Sequence, residues 1–153
     1  LKNNMIAVVQ RVKSASVLVD GKIIGKINQG YLILLGVAKD DTEVDAQFLA
    51  NKISTFRIFP DGDKNMNLSI QDVEGSILIV SQFTLCADWQ KGRRPSFLSS
   101  ALPEKAEQLY IHFSKLLKSK KISVKMGQFA AMMDVELIND GPVTFVMDSK
   151  DKK

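Results

Sequence analysis

Gly30-Tyr31-Leu32-Ile33-Leu34-Leu35-Gly36-Val37 and Ser76-Ile77-Leu78-Ile79-Val80-Ser81-Gln82-Phe83-Thr84-Leu85 are the two stretches on which the fold turns. The first is apolar almost throughout, and the second begins the same way. A strand with one wet face alternates apolar and polar residues, whereas an unbroken apolar run of this length reads as a strand covered on both faces. Both are therefore expected to be buried, with residues 30–37 a central strand. Upstream, Met5 to Val12 and Ser16 to Ile24 are rich in β-branched residues, and Asp20-Gly21 suits a two-residue hairpin turn, so an N-terminal antiparallel hairpin is predicted.

Downstream of the first run, Asp40-Asp41-Thr42-Glu43 offers capping side chains, with Glu43 three residues after Asp40. Val44, Phe48, Leu49 and Ile53 then recur at helical spacing, predicting a helix from about residue 41 to 55. Pro60-Asp61-Gly62 is turn chemistry. Pro103 suits a first helical position, and Ala106, Leu109, Tyr110, Phe113, Leu116 and Leu117 form one apolar stripe ending among lysines. Two further strands are predicted, Met132 to Ile138 and Val143 to Met147, separated by the turn Asn139-Asp140-Gly141-Pro142. The expected fold is a strand-rich α/β domain with two main helices.

A length of 153 residues is that of one domain, and 45% apolar with 25% charged residues excludes intrinsic disorder. The longest apolar run, Tyr31 to Ala38, is too short for a membrane-spanning helix. Residues 1–4 have no signal-peptide pattern and read as a leader or remnant before a start at Met5, with the domain over 5–150 and a basic tail at 151–153. Cys86 is the only cysteine, which fits a reducing, cytoplasmic setting. The formal charge of +4 is unevenly spread: residues 110–127 hold five lysines and no acid. Lys118, Lys120 and Lys121 fall there, and Lys91, Arg93 and Arg94 form a second group beside Trp89 and Phe97. Cations gathered with aromatics suit a phosphate-backbone partner, while a lysine-rich helix end is equally a solvated surface.

Several chemistries are disfavoured by the residue inventory. His112, the only histidine, sits at the margin of the second apolar stripe, so a Ser–His or Cys–His nucleophile would have to use it. A site built on several histidines is impossible. Asp61-Gly62-Asp63-Lys64-Asn65 opens like a calcium loop, but Met66 stands where glycine is needed for the sharp turn. Two segments remain: Ser81-Gln82-Phe83-Thr84-Leu85 at a strand end and Asn139-Asp140-Gly141-Pro142-Val143-Thr144 at a turn. Taken alone they are equally a solvent-facing strand end and a tight turn.

These two segments resemble the two signatures of the Gly-cisPro type of D-aminoacyl-tRNA deacylases, and both stand unaltered. Gln10-Arg11-Val12, Arg57-Ile58-Phe59, Met66-Asn67-Leu68-Ser69 and Lys91-Gly92-Arg93-Arg94-Pro95-Ser96-Phe97 are similar to the family too, so the resemblance runs from Met5 to about Asp148. Two departures stand out. Phe129-Ala130-Ala131 replaces the usual Phe-Gly-Ala, and Ile6 stands where a basic residue is common.

The resemblance implies a three-layer β/β/α fold with mostly antiparallel strands. It also implies a cytoplasmic homodimer that hydrolyses the ester between a D-amino acid and the 3′-terminal adenosine of tRNA, without cofactor or metal and away from membranes. Gly141-Pro142 of each subunit would be cis and enter the partner's pocket, excluding L side chains sterically; glycine would not be excluded by that means. Main-chain N–H groups of Phe83 and Thr84 would meet the developing oxyanion, and Ser81 and Gln82 would orient the adenosine. Phe129 and Met133 would wall the pocket, while Asn139, Thr144 and Arg11 would serve the substrate-binding turn. Lys91, Arg93, Arg94, Lys118, Lys120 and Lys121 would contact RNA. The main alternative is a non-catalytic tRNA-binding dimer of the same fold.

Overall fold

The computed structural model describes residues 4–151; of the expected leader at 1–4 and tail at 151–153, residues 1–3 and 152–153 lie outside the described residues. Along the chain run β1 (Ile6–Val19), β2 (Lys22–Ile27), β3 (Gly30–Gly36), α1 (Glu43–Thr55), β4 (Arg57–Asp61), β5 (Lys64–Ser69), β6 (Ser76–Ser81), a 3-10 turn (Phe83–Cys86), α2 (Pro103–Ser119), β7 (Ser123–Met126) and β8 (Asp134–Asp148). No helix among the described residues is long and apolar enough to cross a membrane.

The expected double burial of β3 and β6 organises everything else. These strands pair in parallel, from Gly30 opposite Ser76 to Leu35 opposite Ser81. Tyr31, Ile33, Leu35, Ile77 and Ile79 face one side, where they share a core with Leu49 and Ile53 of α1 and Leu109, Phe113 and Leu117 of α2. Leu32, Leu78 and Val80 face the other, where Val12, Ala15, Val17 and Ile27 meet them, flanked by Met133, Val135 and Leu137. That second cover is the sheet itself. The first half of β1 pairs with β3, its second half with β2, and β8 runs antiparallel along nearly all of it. The far halves of β1 and β8, with β2, thus fold across β3 and β6, giving the β/β/α layers. Strand pairings are mostly antiparallel, the exceptions being β3–β6 and β6–β7.

Several expected boundaries are corrected. The two N-terminal strands at 5–12 and 16–24 are one 14-residue strand, β1, followed by β2; the hairpin turn is Asp20-Gly21, with φ of 50° and 76°. Register shifts between Gln10 and Ser14 absorb what looked like a break. Likewise the strands at 132–138 and 143–147 are a single 15-residue strand, because β1 lies opposite both. The α1 cap is Thr42 with Asp45 in a reciprocal capping box, displacing the Asp40–Glu43 pairing. The stretch 76–85, expected to begin as a buried strand with 81–85 at its end, is strand only to Ser81 and then turns. The β4–β5 hairpin and β7 were not anticipated, being short and partly polar.

One buried group before α1 has an energetic consequence. Asp41 is 0% exposed; its Oδ2 accepts the Ala38 N–H at 2.6 Å, and its Oδ1 has no partner among the described residues. Burial pushes its carboxyl up from an ordinary 3.8 to about 6, with the neighbouring Asp45 charge adding to the shift. A raised folded-state pKa means that the folded chain holds the proton longer, so stability is full at low pH and is lost as pH rises from about 4 to about 6. Asp41→Asn is expected to stabilise the protein by about 1–3 kcal/mol at neutral pH and to give little gain near pH 4. Thermal melts of both proteins across that window check this; a gain independent of pH contradicts it.

Candidate functional site

The chain leaves β6 through a turn made of main-chain geometry. The Gln82 N–H donates to the Leu35 carbonyl at 2.8 Å, a last rung between β6 and β3, after which Phe83–Cys86 coils into the 3-10 turn. Gly36 allows the turn to lie on the end of β3, since a Cβ there would come within 2.9 Å of Leu85 Cβ and 3.1 Å of the Gln82 carbonyl. The first N–H groups of any helix lack intrahelical acceptors. Here the N–H groups of Phe83 and Thr84 have no acceptor among the described residues, and both residues are exposed. The Gln82 side chain donates to Thr84 Oγ1 at 2.9 Å, and Ser100 Oγ donates to the Phe83 carbonyl at 3.3 Å. The Phe83 ring meets Phe97 edge-on at 4.9 Å. Ser100 was missed by sequence reasoning, and nothing in the local pattern marks it.

A second segment stands alongside. The Gly127 N–H donates to the Ile79 carbonyl at 2.9 Å, so the loop after β7 departs beside Val80 and Ser81. That loop carries the expected wall residues: Phe129 packs on the Tyr110 ring, centroids 6.0 Å apart, and Met133 packs against the cluster holding Leu78 and Val80. Ala130, between them, has φ of 63°. This is the left-handed region that glycine enters freely and an L side chain enters at a penalty of roughly 1–2 kcal/mol.

The other segment, within β8, is held by two polar side chains. The Gly141-Pro142 peptide is cis, Gly141 has φ of 149°, and both residues are exposed. A Cβ on Gly141 would stand 2.6 Å from Val143 Cγ2 and 2.7 Å from the Val143 nitrogen, which explains glycine here. The Asn139 carboxamide closes the turn: its Oδ1 accepts the Val143 N–H at 2.7 Å, while its Nδ2 donates to Thr144 Oγ1 at 3.0 Å and Gln10 Oε1 at 3.1 Å. Arg11, 8% exposed, donates through Nε to the Asp140 carbonyl at 2.9 Å and through a terminal nitrogen to the Ile58 carbonyl at 2.6 Å. Its Nε also lies 3.7 Å from the Asp140 carboxylate.

The structure gathers Ser81, Gln82, Phe83, Thr84, Phe129 and Met133 at one end of the β3–β6 pair, and Arg11, Asn139, Gly141, Pro142 and Thr144 elsewhere. Arg11 pairs with Tyr31 near the start of β3, whereas Gln82 is bonded at Leu35 near its end. Between β8 and β6 lie β1 and β3, a lateral gap of roughly 14 Å at ordinary strand spacing. The two basic groups are also apart. Lys91, Arg93 and Arg94 are exposed on the loop closed by Asp88 and Ser96, just after the 3-10 turn. Lys118, Lys120 and Lys121 lie at the far end of α2, roughly 25 Å from its start. A surface hollow lined by Lys26, Ile27, Asn28, Gln29, Glu74 and Ser76 is at the opposite end of β3 from Phe83.

Side-chain nucleophiles find little support. Neither the Thr84 nor the Thr144 hydroxyl donates to a base among the described residues; both accept from amides. Burial pushes the Cys86 thiol up to about 11, so it stays protonated and unreactive near neutrality. His112 Nε2 stands 4.0 Å from Glu43 on the α1–α2 seam. Two residues along α2 from Tyr110, which faces Ile79, it is on the other side of that helix.

A family profile described as D-Tyr-tRNA(Tyr) deacylase matches residues 8–148. The chain belongs to that family. A protein named D-aminoacyl-tRNA deacylase from Thermosipho melanesiensis is 59% identical over 147 residues, covering 95% of this chain and 98% of that one. One of the same name from Bacillus pumilus is 54% identical, covering 96% and 100%. Among solved structures, one described as a c-Myc DNA unwinding element binding protein aligns with a TM-score of 0.86 at 38% identity, covering 93% of this chain and 97% of that one. A probable eukaryotic D-amino acid tRNA deacylase, 17% identical over 95% and 99% of the two chains, shares the fold with a TM-score of 0.79.

The resemblance leads to an expectation of glycine where this chain has Ala130, and the left-handed backbone there would suit glycine. Ala130→Gly is expected to leave stability unchanged or raise it by up to about 1 kcal/mol, because strain relief offsets the added freedom of the unfolded chain. A thermal melt checks this; a loss of about 1 kcal/mol, normal for glycine in ordinary backbone, contradicts it.

Proposed function

We propose that the protein, a D-aminoacyl-tRNA deacylase by family and so a hydrolase of aminoacyl-tRNA esters, acts as a chiral filter built across two identical subunits. The observation that carries this reading is the separation of the two segments within one chain. Ser81–Thr84 offers unpaired main-chain donors at one end of β3, and Gly141-Pro142 projects near the other, too far to serve the same pocket. A second copy, related by a two-fold axis, would bring each projection to the other's donors and make two equal pockets.

In each pocket the 3′-terminal adenosine lies against Ser81 and Gln82, with the amino-acid side chain between Phe129 and Met133. Main-chain carbonyls of the partner's Gly141 and Pro142 hold the α-amino group, and an L side chain would run into those atoms. Arg11, Asn139 and Thr144 keep that turn in shape through the bonds described above. Glycine has no side chain to reject, so a glycyl ester is also a substrate.

The ester carbonyl polarises toward the N–H groups of Phe83 and Thr84 as a water, oriented by the 2′-hydroxyl of the terminal ribose, attacks; the acyl–oxygen bond breaks and the 3′-oxygen leaves with a proton from that water. Lys91, Arg93 and Arg94 neutralise phosphates near the pocket, and the lysines at the end of α2 reach a more distant part of the tRNA. The product pair is free D-amino acid and tRNA, the outcome of proofreading during translation in the cytoplasm. A non-catalytic tRNA-binding dimer would bind the same RNA without turnover, and the solved relative named for DNA binding keeps that reading in the assay.

The deciding experiment follows ester loss from matched D-tyrosyl-tRNA and L-tyrosyl-tRNA. Rapid loss of the D ester alone is expected; binding with loss of neither favours the non-catalytic dimer. Thr84→Ala removes the hydroxyl and keeps the N–H, so D-ester turnover should fall less than about tenfold. Removing a true side-chain nucleophile costs closer to a millionfold, and a loss of that order in a folded protein would overturn main-chain catalysis.

A further inference from the structure

Tyr110 is an apolar-stripe residue of α2 whose hydroxyl does more than fill the core. It is 2% exposed, and its oxygen stands 3.0 Å from the Ile79 carbonyl and 3.3 Å from the Gly127 carbonyl. Burial pushes the phenol up to about 12, so it carries its proton and donates. The two carbonyls belong to neighbouring paths at the point where they part. Two residues beyond Ile79 the chain reaches Ser81 and the 3-10 turn, and two beyond Gly127 it reaches Phe129. The Tyr110 ring itself packs on Phe129. The Ile79 carbonyl has a second donor, the Gly127 N–H at 2.9 Å, whereas the Gly127 carbonyl has no other donor among the described residues. Loss of the hydroxyl therefore falls on the loop side, leaving one half-buried carbonyl unpaired.

We propose that Tyr110 is a positioning residue that sets the width of the gap between the Ser81–Thr84 turn and the Phe129–Met133 loop, and with it which amino-acid side chains the pocket admits. The inference rests on the deacylase reading above and adds a determinant that touches no substrate atom. A tyrosine with a purely structural role would lower stability without altering preference among substrates. A clamp on one wall changes the preference, because misplacement of about 1 Å at a binding wall alters rates as much as loss of a contact.

The test compares kcat and KM of wild type and Tyr110→Phe on D-alanyl-tRNA and D-tyrosyl-tRNA well below the melting temperature. The expected result is a change of at least about fivefold in the ratio of kcat/KM for the large over the small side chain. That change should lie mainly in KM for the D-tyrosyl ester, with kcat for the D-alanyl ester within about twofold of wild type. Gly127→Ala presses on the same wall through Met133, whose Sδ would stand 2.9 Å from the new Cβ and must shift. It should shift the same ratio, and it decides the matter if Tyr110→Phe does not fold. An unchanged ratio in the folded variants overturns the clamp while leaving the deacylase reading intact. A wild type that hydrolyses neither ester overturns both.

Discussion

Two parallel strands with apolar side chains on both faces impose the constraint from which the rest of this architecture follows. Burying a leucine, isoleucine or valine is worth about 1.5–3 kcal/mol. Leu32, Leu78 and Val80 on the second face therefore represent on the order of 5–9 kcal/mol, comparable with the whole stability of a domain. Helices can cover one face, and α1 and α2 do. The other is covered by length: β1, 14 residues, pairs with β3 and then continues across it, and β8, 15 residues, follows β1 along nearly all of its length. What reads as an N-terminal hairpin is the outer layer of the core.

The same constraint places the polar groups. Since β3 and β6 are parallel, their carboxyl ends coincide, and the last rung from Gln82 to Leu35 leaves the main chain beyond it unpaired. Ligands of open α/β sheets gather at such strand ends for this reason. In the antiparallel ribbon of β1 and β8 the interruption is handled differently. Gln10 pairs with Thr144 and Val12 with Asn139, so Arg11 alone faces residues 140–143. No backbone rung can span that mismatch, and the guanidinium supplies the missing donors to Asp140 and, across the fold, to Ile58.

Much of this was legible in the residues. Unbroken apolar runs announced β3 and β6, the heptad-like stripe announced α2, and Pro103 marked its start within a residue. The two signature segments pointed to their own neighbourhoods. Illegible were features that depend on what lies opposite. β1 and β8 seemed broken because turn-prone residues such as Asp140 and Gly141 outweigh local strand preference, and only a long partner overrides them. β7 is four residues with alternating exposure, below any periodic signal. At the site, Arg11 could be suspected from its place in the Gln10-Arg11-Val12 block. The Ser100 bond to Phe83 is a tertiary accident of where the loop before α2 returns.

The open donors at Phe83 and Thr84 belong to the peptide bond, a circumstance that bears on heredity more than on chemistry. Codons may drift at these two places among nineteen amino acids and every version still presents an N–H in the same direction, provided that the turn survives. Proline alone lacks one. If the donors serve as proposed, what selection must guard is the path of the chain, held at Gly36 and at the rung from Gln82 to Leu35, rather than the identity of the residues that display the donors.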